Sequence, residues 1–310
     1  MIKYYFKTIT DQNIRSLKYF KKGSWIYVFD PSDKEINYLV KNFSLEKGHL
    51  MDALDKYEVP RIETENEDTY IFTRYPIETG KKSRIVTVPL LIVTGKDFVL
   101  SISSDNLLLN ESVLLQNKKI STTQKTKLTL QILSEINHVF NSFINNISRE
   151  IKKTSIDLMK INIKNSDMVK LVANEMVLND FLSSLVQIKN NMETLTSGKT
   201  LKLFADDKDL IEDLHLSSNQ LVEISRSNLK NIVNIREASN TIMTNNLNKT
   251  IKFLTALTVV LNIPVLISSI YGMNVNLPFA NSGFAFLYII TVSLFISLTL
   301  IVIFVKKDWF

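Results

Sequence analysis

The sequence predicts an α+β multi-domain membrane protein. It has an N-terminal α/β cytoplasmic domain, a long helical stalk and two C-terminal transmembrane helices. Three observations carry this. Residues 253–305 contain no Asp, Glu, Lys, Arg or His and hold two apolar runs, 253–271 and 284–305. Each run has the ~20 residues that cross ~30 Å of hydrocarbon as a helix. Residues 122–161 and 166–196 contain neither Pro nor Gly and repeat apolar residues at helical spacing, whereas the first 118 residues hold short runs rich in β-branched and aromatic side chains. The implied parts are 1–118 (α/β domain), 119–252 (stalk) and 253–310 (two spans, with a short external loop at 272–283).

In the first part, strand-like runs cover 2–7, 25–29, 70–75, 85–93 and 98–102. Two helices are expected between the second and third runs. Ser32-Asp33-Lys34-Glu35 has the pattern of a capping box and opens the first helix. The second is expected over 50–57, stopping before Pro60.

In the stalk, Leu128, Ile132, Leu133, Ile136, Val139, Phe140, Phe143, Ile144 and Ile147 recur at three and four. Gly198-Lys199-Thr200 has the look of a phosphate loop, but position 193 is Glu where that motif needs Gly, and no strand precedes it. A turn between helices is the better reading, and no nucleotide is expected. A third helix begins near Asp206 and meets no Pro or Gly before Pro264. At ~1.5 Å per residue that is roughly 90 Å. Leu214, Leu221, Ile235 and Ile242 lie at multiples of seven, the mark of bundle or coiled-coil packing, with polar interruptions such as Asn228.

Composition limits the function. The chain has 310 residues, a net charge of +6 and 45% apolar residues. Its Lys and Arg are scattered among acids, without the aromatic-basic stripe of a nucleic-acid binder. With no cysteine, disulfides, thiolate zinc sites and cysteine nucleophiles are excluded together. No nucleophile–base pair or zinc-like histidine spacing suggests an enzyme, and His49, His138 and His215 read as structural or surface residues. The N-terminus lacks an apolar stretch of signal-peptide length, and Lys249, Lys252, Lys306 and Lys307 flank the spans. Both termini are therefore expected in the cytoplasm.

The first span carries a polar stripe. Asn248, Ile251, Thr255, Thr258, Asn262, Val265 and Ser269 follow a 3-4-3-4 spacing and share one face, with Leu257, Val260, Leu261 and Pro264 on the other side. Polar groups in lipid normally face protein or water. One reading is that Asn and Thr bond helix to helix. The other is that copies of this helix ring a conduit, which demands a homo-oligomer, because two helices per chain cannot enclose a pore.

Between the spans stands Tyr271-Gly272-Met273-Asn274, and the chain ends Lys306-Lys307-Asp308-Trp309-Phe310. Gly-Met-Asn at the end of the first of two closing spans resembles the signature of the CorA family of divalent-cation transporters. The final basic residues resemble that family's ending. A less specific likeness covers Trp25-Ile26, Asp52-Ala53-Leu54, Pro60-Arg61-Ile62-Glu63 and Tyr70-Ile71-Phe72.

This resemblance implies a homopentamer in a lipid bilayer, in the cell membrane, taking up Mg²⁺ through a pore lined by the first span. It implies that Gly272, Met273 and Asn274 form the ion-selecting entrance, where Asn oxygens accept hydrogen bonds from a hydrated ion and Gly272 gives the backbone freedom to turn the helix end. Ile251 and Leu254 would close the path at the cytoplasmic end by dewetting. It also implies a regulatory metal between subunits at Asp52 and Asp213, with Asp206, Asp207, Asp209 and Glu212 adding negative field. The chain departs from many members in having no acid from Val275 to Gly283, which removes a source of cation attraction at the outer mouth. Two alternatives stay open. One is a zinc or cobalt transporter of the related ZntB type, against which Met273 argues. The other is a membrane-anchored coiled-coil scaffold, which has no need of a polar stripe in its span.

Overall fold

The computed structural model describes residues 1–80, 84–106, 120–160, 164–275, 277–279 and 282–309. They form two compact units, Met1–Asn234 and Ile235–Phe310. The expected limit at residue 118 lies outside the described residues, as do Ile161, Asn276 and Asn281.

The first unit is built on a seven-stranded sheet in the order β2-β1-β3-β7-β6-β5-β4. The strands are β1 (Ile2–Phe6), β2 (Arg15–Leu17), β3 (Ser24–Phe29), β4 (Arg61–Glu65), β5 (Asp68–Thr79), β6 (Arg84–Thr94) and β7 (Phe98–Ser103). The β3–β7 pair is parallel and the other pairs are antiparallel. The five expected strands are all present. The two that sequence reasoning missed, β2 and β4, are the two edges. Edge strands are kept short or charged to discourage further pairing, so Arg-Ser-Leu and Arg-Ile-Glu-Thr-Glu lack the β-rich signature.

Both faces of the sheet are covered, which explains why all six residues of β7 are buried. On one face Ile26, Val28, Tyr70, Phe72, Leu91, Val93, Leu100 and Ile102 pack with Ile36, Leu39, Leu50 and Ala53. These last four come from α1 (Asp33–Phe43), α2 (Lys47–Asp52) and the residue that ends α2. The capping box of α1 is formed: Glu35 N–H donates to Ser32 Oγ, and the Glu35 carboxylate accepts from Ser32 N–H. That backbone bond is the largest influence holding the Glu35 carboxyl below its usual range. Helix α2 corrects the expectation of 50–57. It starts earlier and is over at Asp52, after which Leu54 and Asp55 N–H groups donate three residues back in tight turns.

The other face meets α3 (Lys125–Met159) and α4 (Asn165–Thr196). Thr94 and Thr129 hydroxyls bond at 2.8 Å, and Asp180 accepts from both N–H and Oγ1 of Thr87. Gly198, after α4, has a φ of +68°, the left-handed turn that ends many helices. The phosphate-loop look-alike is therefore a helix-ending turn.

Helix α5 (Ala205–Tyr271) has 67 residues and includes Pro264. In the first unit its buried side is Ile211, Leu214, Ser218, Leu221, Ser225, Asn228 and Ile232, an unbroken 3-4 repeat. The polar members are matched. Asn137 of α3 donates to Ser218 Oγ at 2.9 Å, and Asn228 donates to Ser148 Oγ at 2.7 Å. Such pairs fix register where an all-apolar seam would allow sliding. The second unit holds the remainder of α5 and α6 (Ala285–Lys306).

Candidate functional site: a polar stripe in a membrane helix

Among the described residues two helices are long and apolar enough to cross a membrane, α5 through its C-terminal part and α6. They meet through Ala256 and Val260 of α5 and the Ser293–Ser297 side of α6, all buried. Small residues at such a seam let backbones approach closely. Pro264 cannot donate to the carbonyl of Val260, four residues back, and that carbonyl would be orphaned in hydrocarbon. Ser297 Oγ donates to it at 3.5 Å. The carbonyl thus finds its partner on α6, and no sequence signal within α5 pointed to it.

The polar stripe lies elsewhere on α5. At ~100° per residue the Ala256–Val260 seam is roughly 150° around the helix from the middle of Thr255, Thr258, Asn262 and Ser269. Asn248, Ile251, Leu254, Thr255, Thr258, Asn262, Val265 and Ser269 are all exposed in the single chain. Thr258 Oγ1 donates to the Leu254 carbonyl at 2.8 Å, so its hydroxyl is satisfied within the helix. Residues 243–255 are exposed throughout, including Met243, Leu247, Ile251 and Leu254.

At the end of α5, Gly272 N–H donates to the Ser268 and Ser269 carbonyls, and Met273 N–H to that of Ile270. Gly272 is not in the left-handed region, and a Cβ there would make ordinary contacts of 3.4 and 3.5 Å with those serine carbonyls. The turn does not require a glycine, which corrects the conformational reason given for it from sequence. Asn274 is exposed beside Met273, itself 56% exposed.

Asp52 and Asp213 both belong to the first unit. Asp52, the last residue of α2, accepts from Arg61 Nη2 at 2.9 Å. Arg61 also pairs with Glu58 and Glu63 and lies over the Phe72 ring at 3.8 Å. Asp213 is exposed on α5. Asp207 is buried and accepts from the Phe204 N–H, which makes it a helix-start residue. Among the described residues no three His, Cys, Asp or Glu side chains gather as a metal cluster. Sequence reasoning missed Arg61 as the partner of Asp52. Its only signal was an Arg in the neighbouring strand motif.

Known proteins resemble this chain over nearly its whole length. The chain is 25% identical over 296 residues to the "Cobalt/magnesium transport protein CorA" of Methanocaldococcus jannaschii, covering 92% of this chain and 90% of the relative. It superposes on the complete structure of the CorA magnesium transporter from Methanocaldococcus jannaschii with a TM-score of 0.86, at 22% identity, over 100% of this chain and 99% of that one. On the full-length CmaX protein the TM-score is 0.75, at 15% identity, with 97% of each chain covered. A family model described as CorA-like Mg2+ transporter protein matches residues 20–307. With that match spanning nearly the whole chain, the protein belongs to the CorA-like Mg²⁺ transporter family.

Proposed function

We propose that this chain forms a homopentameric, channel-type transporter that takes up Mg²⁺, driven by the membrane potential and closed by intracellular Mg²⁺. The carrying observation is the exposed polar stripe of α5 on the side away from its seam with α6. A two-helix hairpin has no internal partner for that face, and side chains such as Asn262 are disfavoured against lipid. Copies of α5 turned towards a common axis give the stripe water. The same arrangement covers the apolar residues at 243–255. The proposed parts remain the α/β domain (1–118), the stalk (119–252) and the spans with their external loop (253–310), with both termini cytoplasmic and the protein in the cell membrane.

The ion is treated as cargo. Mg²⁺ holds its waters tightly and prefers oxygen ligands. Amide oxygens of Gly272-Met273-Asn274 in five copies accept hydrogen bonds from a hydrated ion without stripping it. Thr258, Asn262 and Ser269 continue such contacts inward, and Ile251 and Leu254 form the apolar constriction. Transport needs no chemical step, because a doubly charged ion gains about 4.6 kcal/mol per 100 mV, from ~2.3 per charge. At the regulatory site the donors suit a hard cation: Asp52 and Asp213 offer solvent-accessible carboxylates that can hold an ion still partly hydrated. A zinc transporter of the ZntB type is the runner-up, and Met273 weighs against it.

The stripe is tested by cysteine accessibility. Thr258→Cys and Asn262→Cys are expected to react with membrane-impermeant thiol reagents. Leu257→Cys, roughly 130° from the stripe's middle, is expected to react at least ~10-fold more slowly, the mark of a side chain held in apolar surroundings. The native chain has no cysteine to interfere. Equal rates at all three positions would show that the stripe does not line water.

A further inference from the structure

A cavity of about 590 Å³ lies between the start of the first span and the end of the second. It is lined by Lys249, Thr250, Phe253, Asp308 and Trp309. That is the size of a small-ligand site. The end of α6 is built to make it. Asp308 takes a left-handed φ of 53°, its N–H donates to Val305, and Trp309 N–H returns to the Phe304 carbonyl at 3.0 Å. This is a Schellman ending, and its characteristic apolar contact is present as Trp309 stacked on Phe304 at 5.3 Å and 14°. The ring is thereby fixed at the rim.

Lys249 of α5 lines the cavity; Lys252 directly precedes the lining residue Phe253, and Lys306 and Lys307 directly precede the lining residue Asp308, all of these lysines being exposed. Among the described lining residues Asp308 is the acid and Lys249 the base, and the three neighbouring lysines make this stretch of the surface cationic. Their depth matters as much as their sign. Lys252 immediately precedes the uncharged stretch and Lys306 immediately follows it. Four lysines at the foot of two spans, with Trp309 and Phe253 among them, sit where phosphate headgroups and their glycerol backbones lie. Lys249 is also on the seam side of α5, roughly 150° from the polar stripe. In an assembly with the stripe turned inward, the cavity faces outward to lipid.

We propose that this cavity binds the headgroup of an anionic phospholipid, with Lys249 and Lys307 holding the phosphate and Phe253 and Trp309 flanking its glycerol region. The outward direction rests on the conduit reading of the stripe; the cavity and its charge do not. A lipid seated there joins the feet of the two spans.

The test counts bound lipid on the full-length protein by native mass spectrometry during titration with phosphatidylglycerol or phosphatidylcholine, and during competition with inorganic phosphate. Phosphatidylglycerol is expected to be retained over phosphatidylcholine. Lys249→Gln should lower its retention about fivefold and Lys249→Gln with Lys307→Gln roughly 30-fold, as ~1 kcal/mol per lysine near an anionic surface implies. Phosphatidylcholine should be indifferent to both substitutions, and inorganic phosphate should not displace the lipid. Equal retention of the two lipids, or unchanged retention in the double variant, overturns the proposal. Displacement by inorganic phosphate also overturns it, in favour of a soluble-anion site. Failure of the conduit reading is seen separately, as absent thiol labelling at Thr258→Cys with lipid retention intact.

Discussion

Asn274→Ala is expected to abolish Mg²⁺ uptake, by at least ~100-fold, without loss of assembly. Asn274 is exposed just beyond the last turn of α5, so alanine leaves no cavity and breaks no packing. In the proposed pore it removes an amide oxygen that would face a hydrated cation. A net hydrogen bond is worth ~1 kcal/mol, and five copies around one axis would together contribute several times that. Because no acid stands between Val275 and Gly283, the amide oxygens have no nearby carboxylate to substitute for them. Uptake is followed with a Mg²⁺ indicator inside proteoliposomes, with assembly checked by size-exclusion chromatography. Near-normal uptake by a correctly assembled variant would remove Asn274 from ion selection.

The second large effect is expected from Asp52→Asn combined with Asp213→Asn. If these carboxylates share Mg²⁺ across a subunit boundary, internal Mg²⁺ stabilises the state that binds it, by linkage. The α5 helix carries Asp213, Ile251 and Leu254 in one 67-residue element. In the proposed assembly this shared helix would carry displacement at Asp213 towards Ile251 and Leu254. High internal Mg²⁺ then closes the path and low Mg²⁺ opens it, the sign a homeostatic importer needs. Arg61 modifies this picture. Its guanidinium lies 2.9 Å from the Asp52 carboxylate, so without the ion Asp52 is not a bare charge. The double variant should shift the Mg²⁺ concentration that protects against proteolysis upward by at least ~10-fold, equivalent to ~1.4 kcal/mol. Uptake should also persist at internal Mg²⁺ levels that silence the parent. Protection and closure identical to the parent's would place the regulatory site elsewhere.

Much of the fold was legible because its signals are local. The Ser32–Glu35 box, the five apolar strands and the two uncharged spans each lie in one short window. The edges β2 and β4 were hidden because an edge strand suppresses the apolar alternation by which strands are recognised. In sequence the polar residues of the stalk seam, such as Asn228, read only as interruptions of an apolar repeat. Asn228 with Ser148, and Asn137 with Ser218, show that they are matched across helices 80 or more residues apart. No single-window reading could supply that. Pro264 had the same character: its consequence is a carbonyl satisfied from another helix by Ser297. Of the candidate site, the stripe was visible as periodicity, and its position opposite the α6 seam came only from packing. The engagement of Asp52 by Arg61 was out of reach, since it depends on the end of α2 meeting β4.

The most direct test is Mg²⁺ entry into liposomes containing the purified protein, with an inside-negative potential set by a potassium gradient. Co²⁺, Ni²⁺ and Zn²⁺ are run alongside. Mg²⁺ uptake is expected to rise steeply as the inside is made more negative, to need no nucleotide or pH gradient, and to fall as internal Mg²⁺ is raised. No uptake above protein-free liposomes at any potential, or Zn²⁺ uptake driven by a pH gradient with Mg²⁺ excluded, would contradict a potential-driven Mg²⁺ channel.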